Sequence, residues 1–379
     1  MFSSIRGFLS RHKRKFIISG VVVGGAVLAV KYIGYKLEQW QEKETKEILE
    51  RAQRHSHFES TERTCDQTIM SLAPVVQETI VSLTETENIV EMLKTAAPSQ
   101  KLELWAQLKV LAFTRACVLM YGGVMLVVTL RVQLSLIGGY MYQDHTGPVR
   151  VSSALQESYL SLCHHFMSHG IHKLCTLIEE KVSAATREIS LKQRLTLQDV
   201  EQLFWSIQAQ VATDGHDPLH RISQYVLLQT LEAQYYNLSD RDSEMLVRIA
   251  AETADILDSD EVVSLASSSV AHAFSAFVDG LCEGFCVART GKESLNDPAP
   301  GHSCPPVPVE KMMRPNGTLP FSHPNAVSMP LAKLIPLVNS VSLNFTSGDK
   351  QPPWIYHHVV NDKFKVLAAN IYEAFCQKA

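Results

Sequence analysis

Four histidines crowd a short stretch of the chain: His164, His165, His169 and His172. On a helix, His165 and His169 are four positions apart and share a face, as two imidazole ligands of one divalent ion must. The remaining donors are wanting. No carboxylate lies inside the cluster, and Glu179 is more than a turn past His172. We read these side chains as core or solvated histidines and expect no metal. Cys282 and Cys286 repeat the four-residue spacing without a second pair at zinc-site distance, so they read as core thiols. His357-His358 and His55 with His57 join no constellation. The phosphate-cradling G-x-x-x-x-G-K-[ST] loop, the H-E-x-x-H zinc helix and the G-x-S-x-G nucleophile turn are all missing from the sequence. The expectation is a non-enzymatic protein without cofactor, with a helical metalloenzyme built on the histidine cluster as one alternative.

The elements that would carry these residues are helical throughout. The chain has 379 residues, 46% hydrophobic and 20% charged, which is globular composition. Its formal charge of −4 excludes a global basic field for nucleic acid. Eight cysteines scattered over more than 300 residues are too sparse for a disulfide scaffold and read as reduced thiols. Acidic and basic residues pair at i,i+4 between residues 36 and 60 (Glu42/Lys46, Glu47/Arg51, Glu50/Arg54), a pattern for a solvated helical stalk. Apolar residues recur at helical spacing over residues 65–94, and Pro98 with Ser99 then marks a new start. Further helices are expected over residues 153–188, 196–212, 220–237, 240–257 and 260–289, with no sustained strand. Nine prolines between residues 291 and 330 indicate one long irregular loop. The fifty residues after it are too few for a core of their own.

Two uncharged runs of fifteen residues stand out, 16–30 and 116–130. Arg6, Arg11, Lys13, Arg14 and Lys15 precede the first, and Lys31, Tyr32 and Tyr35 follow it. With the Lys31 stem snorkelling, that span reaches about twenty residues, enough to cross a bilayer. We read residues 1–15 as a short basic segment and 16–35 as an uncleaved anchor. A secretory signal cleaved near Val27-Leu28-Ala29 is the alternative, and sequons at Asn237, Asn316 and Asn344 lean toward it. A buried core helix is the third reading. Five basic residues before the span and four after it leave the orientation open. Gly20 and Gly24 have the spacing of a helix-pairing face, though glycine is common in spans anyway. The second run is bracketed tightly by Arg115 and Arg131 and rises only about 22 Å, so a helix buried in protein on all sides is expected.

Several stretches together resemble the peroxin-3 family. One is Phe8-Leu9-Ser10-Arg11-His12-Lys13-Arg14-Lys15 before the Gly-rich run, with His57-Phe58-Glu59-Ser60 after the stalk. A second begins Lys101-Leu102-Glu103-Leu104-Trp105 and continues through Phe113-Thr114-Arg115 and Leu130-Arg131-Val132-Gln133-Leu134 to Ile137-Gly138-Gly139-Tyr140. The third holds Met329-Pro330-Leu331-Ala332-Lys333-Leu334-Ile335-Pro336-Leu337-Val338-Asn339 and the closing Ala368-Ala369-Asn370-Ile371-Tyr372. Order is kept from end to end. The resemblance implies an all-α fold: one N-terminal peroxisomal-membrane anchor, then a cytosolic helical-bundle domain over residues 61–379. It further implies a docking receptor for peroxin-19, the soluble chaperone of new peroxisomal membrane proteins, acting in membrane-protein insertion and peroxisome biogenesis. Trp105, Lys101 and Leu93 would form the docking surface, with Leu104 and Leu108 beside them. The alternative is a secreted or lumenal helical glycoprotein with a cleaved signal.

Helical geometry bears on that site separately. Lys101, Trp105, Leu108 and Ala112 follow one stripe, while Leu104, Leu108 and Leu111 form the adjacent core stripe. Trp105 thus stands at the border of the buried and exposed faces, either packed in the core or anchoring a partner helix. Lys101 and Lys109, a turn to either side, would supply a cationic edge for an acidic partner. Gly138 and Gly139 are expected to be structural, serving close packing or a left-handed helix end.

Overall fold

Helices in this chain stop where the backbone is forced to turn. In the computed structural model, which describes residues 13–146, 151–227, 238–293, 327–347 and 355–376, the first helix (α1) covers Lys13–Thr84. It stops at Glu85, whose φ of 36° is left-handed and cannot continue a right-handed helix. Helix α2 (Thr86–Thr95) follows, Ala96 is extended, and α3 (Pro98–Thr146) opens on proline, which suits a first helical position. The break at Pro98 was legible in sequence. The one at Glu85 was not, because a glutamate carries no signal for a left-handed backbone.

The chain divides into two compact units, Met1–Ser60 and Thr61–Ala379. In the first, residues 13–60 are continuously helical. Tyr32, Tyr35, Leu37, Trp40, Ile48 and Leu49 are exposed there, and Glu47 meets Arg51 at 3.9 Å as the i,i+4 pattern implied. The basic residues 1–12 and the side chains of 13–30, on which the anchor reading rests, lie outside the described residues.

In the second unit everything is arranged around α3. Its residues 112–140 are buried without interruption, packed by α1 and by helices from most later parts of the chain. The helices that follow α3 in the chain are α4 (Ser153–Leu160), α5 (Leu162–His165), α6 (Ile171–Thr186), α7 (Leu197–Ala212), α8 (Ile222–Val226), α9 (Asp240–Leu257), α10 (Asp260–Glu293), α11 (Leu331–Ser347), α12 (Tyr356–Val359) and α13 (Asp362–Cys376). The fold is all-α. Helix α3 is long and apolar enough for a membrane, yet 89% of its most apolar window is buried inside the protein. It is therefore a core helix, as the short uncharged run between Arg115 and Arg131 suggested, although the helix as a whole is long enough to span. Asp260–Cys282 passes the same length and hydropathy test with half of its window buried.

Two fully buried cations close the apolar run, and burial of a charge requires partners. Arg131 donates to Asp66 (2.6 Å) and to the Val359 carbonyl (2.8 Å), tying α3 to α1 and α12. Arg115 does the equivalent work near the other end, described below. Gly138 and Gly139 remain within α3 and allow neighbours to approach closely. A Cβ on Gly138 would fall 2.8 Å from the Thr61 methyl, and one on Gly139 would fall 2.8 Å from Phe375 Cβ and 3.0 Å from the Tyr372 carbonyl. The close-packing alternative applies, and no left-handed end is formed there.

Two short strands, Arg194–Thr196 (β1) and Ser328–Pro330 (β2), pair antiparallel with Leu195 opposite Met329, where no strand was expected. They bring the start of α11 beside α7, which opens on a reciprocal Thr196/Asp199 capping box. The expected helix over 153–188 is instead α4, α5, a π turn (Phe166–Gly170) and α6. Most of the proline-rich loop, residues 294–326, lies outside the described residues. So do Asn237, Asn316 and the side chain of Asn344.

Candidate functional site

The histidine cluster does not assemble a metal site. His164, His169 and His172 are exposed and His165 is half-buried. His165 and His169 stack with ring centroids 5.1 Å apart, and among the described residues no group of three or more His, Cys, Asp or Glu side chains could hold an ion. Burial, with His169 and Lys173 nearby, lowers the His165 pKa and disfavours its cation. The Cys286 side chain lies outside the described residues.

Hydrophobic side chains gather instead around an open groove of about 590 Å³ at the head of α3. Its floor is Lys101, Trp105 and Leu108, one residue per turn along the stripe that helical spacing defines. One wall comes from α2, through Val90, Leu93 and Lys94. The other comes from α11, through Ile335, Pro336, Asn339, Ser340 and Leu343. Four of the five residues expected at a docking surface thus meet in one place: Trp105, Lys101, Leu93 and Leu108. Leu104 does not line the groove. It is 8% exposed and turned into the core, as its membership of the neighbouring stripe requires.

Lys109 corrects the expected cationic edge. It is buried, and its ammonium donates to the carbonyl of Thr186 (2.7 Å), the last residue of α6, and to that of Ile189 (3.3 Å) in the turn beyond it. A cation satisfying terminal carbonyls stabilises a helix end. Burial pushes the pKa of this amine down. The positive edge comes from Lys94 and Lys101, both exposed, with Lys94 shared by Glu91 at 3.0 Å. Lys94 was missed, although it sits one position from Leu93. The α11 wall was missed for a different reason. It lies more than 220 residues from Trp105, and its one sequence signal was the Met329–Asn339 block, which carried a likeness without a role.

Beneath the groove the walls are fastened together. Arg115 places its guanidinium fork on both carboxylate oxygens of Glu87 (2.6 and 2.7 Å), donates from Nε to Thr84 Oγ1 (2.8 Å) and from Nη1 to Asn339 Oδ1 (3.0 Å). Thr86 also donates to Asn339 Oδ1 (3.1 Å). Glu87 lies in the first turn of α2, where an acid complements the helix dipole, and the Arg115 guanidinium holds its carboxyl down at about 2.

The site is an apolar trough between three helices, with Trp105 on its floor, aliphatic side chains on its walls and two exposed lysines at its lip. Comparison with known proteins gives the chain a family. The Peroxin-3 family model matches residues 7–101, 94–146 and 141–373. "Peroxisomal biogenesis factor 3" of Cricetulus longicaudatus is 33% identical over 99% of this chain and 98% of that protein. The protein of the same name from Homo sapiens is 32% identical with the same coverage. The chain belongs to the Peroxin-3 family.

Proposed function

We propose that this protein is a docking receptor of the peroxisomal membrane, engaged in peroxisome biogenesis. It is anchored by residues 16–35 and binds an amphipathic helix of peroxin-19 in the groove at Trp105. The single observation carrying this reading is the convergence of Leu93, Lys101, Trp105 and Leu108 in one open apolar trough. A partner helix would insert apolar residues at i, i+3/i+4 and i+7 between α2 and α11. Its acidic flank would face Lys94 and Lys101. The family match beginning at residue 7 supports retention of the apolar N-terminal run, which a cleaved leader would shed.

The test is complementation. The full-length chain, placed in cells deprived of their own peroxin-3, should reach peroxisomal membranes and restore import of peroxisomal membrane proteins. The Trp105→Ala variant, present at equal level, should restore it poorly. Accumulation of the wild-type chain in the secretory lumen, or full rescue by the variant, would contradict the receptor reading or the site respectively.

A further inference from the structure

Helix α2 is a precarious wall. It has ten residues, too few to be stable as an isolated helix, and only Thr86 and Ile89 along it are buried. It follows a left-handed residue and ends before an extended one, so neither neighbouring helix dictates its direction. Yet it supplies Val90, Leu93 and Lys94 to the groove. What fixes it is the network beneath, in which one fully buried guanidinium holds the end of α1, the first turn of α2 and the opposite wall on α11.

Resting on the docking function proposed above, we infer that Arg115, Glu87, Thr86 and Asn339 position the groove: they hold α2 at the separation from α11 that admits a helix. Glu87, Thr86 and Arg115 do not line the groove, so they act on an occupant through the wall they orient. Without the tie, α2 samples other orientations. Apparent affinity then falls by the fraction of molecules still competent to bind.

The sign of the effect separates positioning from charge. Glu87 is an acid close to an edge that attracts acids. By electrostatics alone, Glu87→Gln would leave the binding of an acidic helix unchanged or make it tighter. By positioning it weakens binding, because glutamine cannot accept the charged fork of Arg115. The experiment uses the full-length chain in lipid nanodiscs and titrates it with a fluorescent N-terminal peptide of peroxin-19. Amide hydrogen exchange over residues 86–95 is followed well below the melting temperature. For Glu87→Gln we expect affinity to fall about fivefold or more and exchange in α2 to accelerate, with α3 and α11 protected as before. Thr86→Val keeps the ion pair and is nearly isosteric, so it should show a smaller change of the same sign; it carries the test if Glu87→Gln does not fold. Wild-type affinity with wild-type exchange in a folded variant overturns the inference. Failure of the wild-type protein to bind the peptide would instead overturn the docking function. Exchange in α2 would then decide the positioning role alone, with unaltered exchange refuting it.

Discussion

At the scale of single residues, neighbouring lysines on α3 divide the work. Lys101 lines the groove in solvent, whereas Lys109 is buried against the end of α6. Lys109→Ala is expected to lower stability by about 1.5–3 kcal/mol, the usual range for a hydrogen-bonded buried cation, and to leave peptide affinity alone. Lys101→Ala should do the reverse. Urea unfolding beside peptide titration separates the two, and a Lys109 variant that loses affinity while keeping its stability would contradict the assignment. The glycines are similarly unequal. Gly139→Ala drives a methyl against Phe375 Cβ and a backbone carbonyl and should cost about 1–3 kcal/mol. Gly138→Ala meets only the Thr61 side chain, which can shift, and should cost less. An unchanged urea midpoint for Gly139→Ala would show that the packing there is looser than the distances require. Helical spacing made Trp105 legible as a border residue. It could not tell that Lys109 reaches residues 77 and 80 positions away.

At the scale of elements, sequence pattern fared best where a single helix settled its own environment. The fifteen uncharged residues of α3 between Arg115 and Arg131 foretold a helix buried all round, because charges sit close to both ends of a run that rises only about 22 Å. Pattern fared worst where a distant element mattered, as with α11 closing the groove over α2. Two buried or paired titratable groups, one on α12 and one on α2, give those junctions a pH signature. Burial, with His272 and His357 nearby, lowers His358 on α12 to about 4. The unfolded chain therefore takes up that proton at higher pH than the folded one, near the usual 6.5. Stability falls as pH drops from about 6.5 to about 4. Glu87 on α2 is held at about 2 against an ordinary 4.5, so its contribution is present above 4.5 and fades as pH falls toward 2. Thermal unfolding across pH should show both windows. His358→Leu should flatten the upper one and Glu87→Gln the lower; if the upper slope persists in His358→Leu, another group is responsible.

At the scale of the whole molecule, the anchor and the groove make separable demands. The full-length chain should stay in the membrane pellet after alkaline carbonate extraction, and removal of residues 1–35 should release it to the supernatant. Extraction of the full chain would contradict an integral anchor. The formal charge of −4 gives no global basic field for nucleic acid. The groove is assembled from residues about 250 positions apart in the chain. Its occupant is the central claim. Isothermal titration of the full-length protein in nanodiscs with the N-terminal region of peroxin-19, for wild type and for Trp105→Ala, tests it most directly, with circular dichroism confirming that both are folded. A central tryptophan anchor should be worth at least about 2 kcal/mol, roughly thirtyfold in affinity. Binding by wild type and that loss in the folded variant are expected; equal binding by both would mean that the helix docks elsewhere.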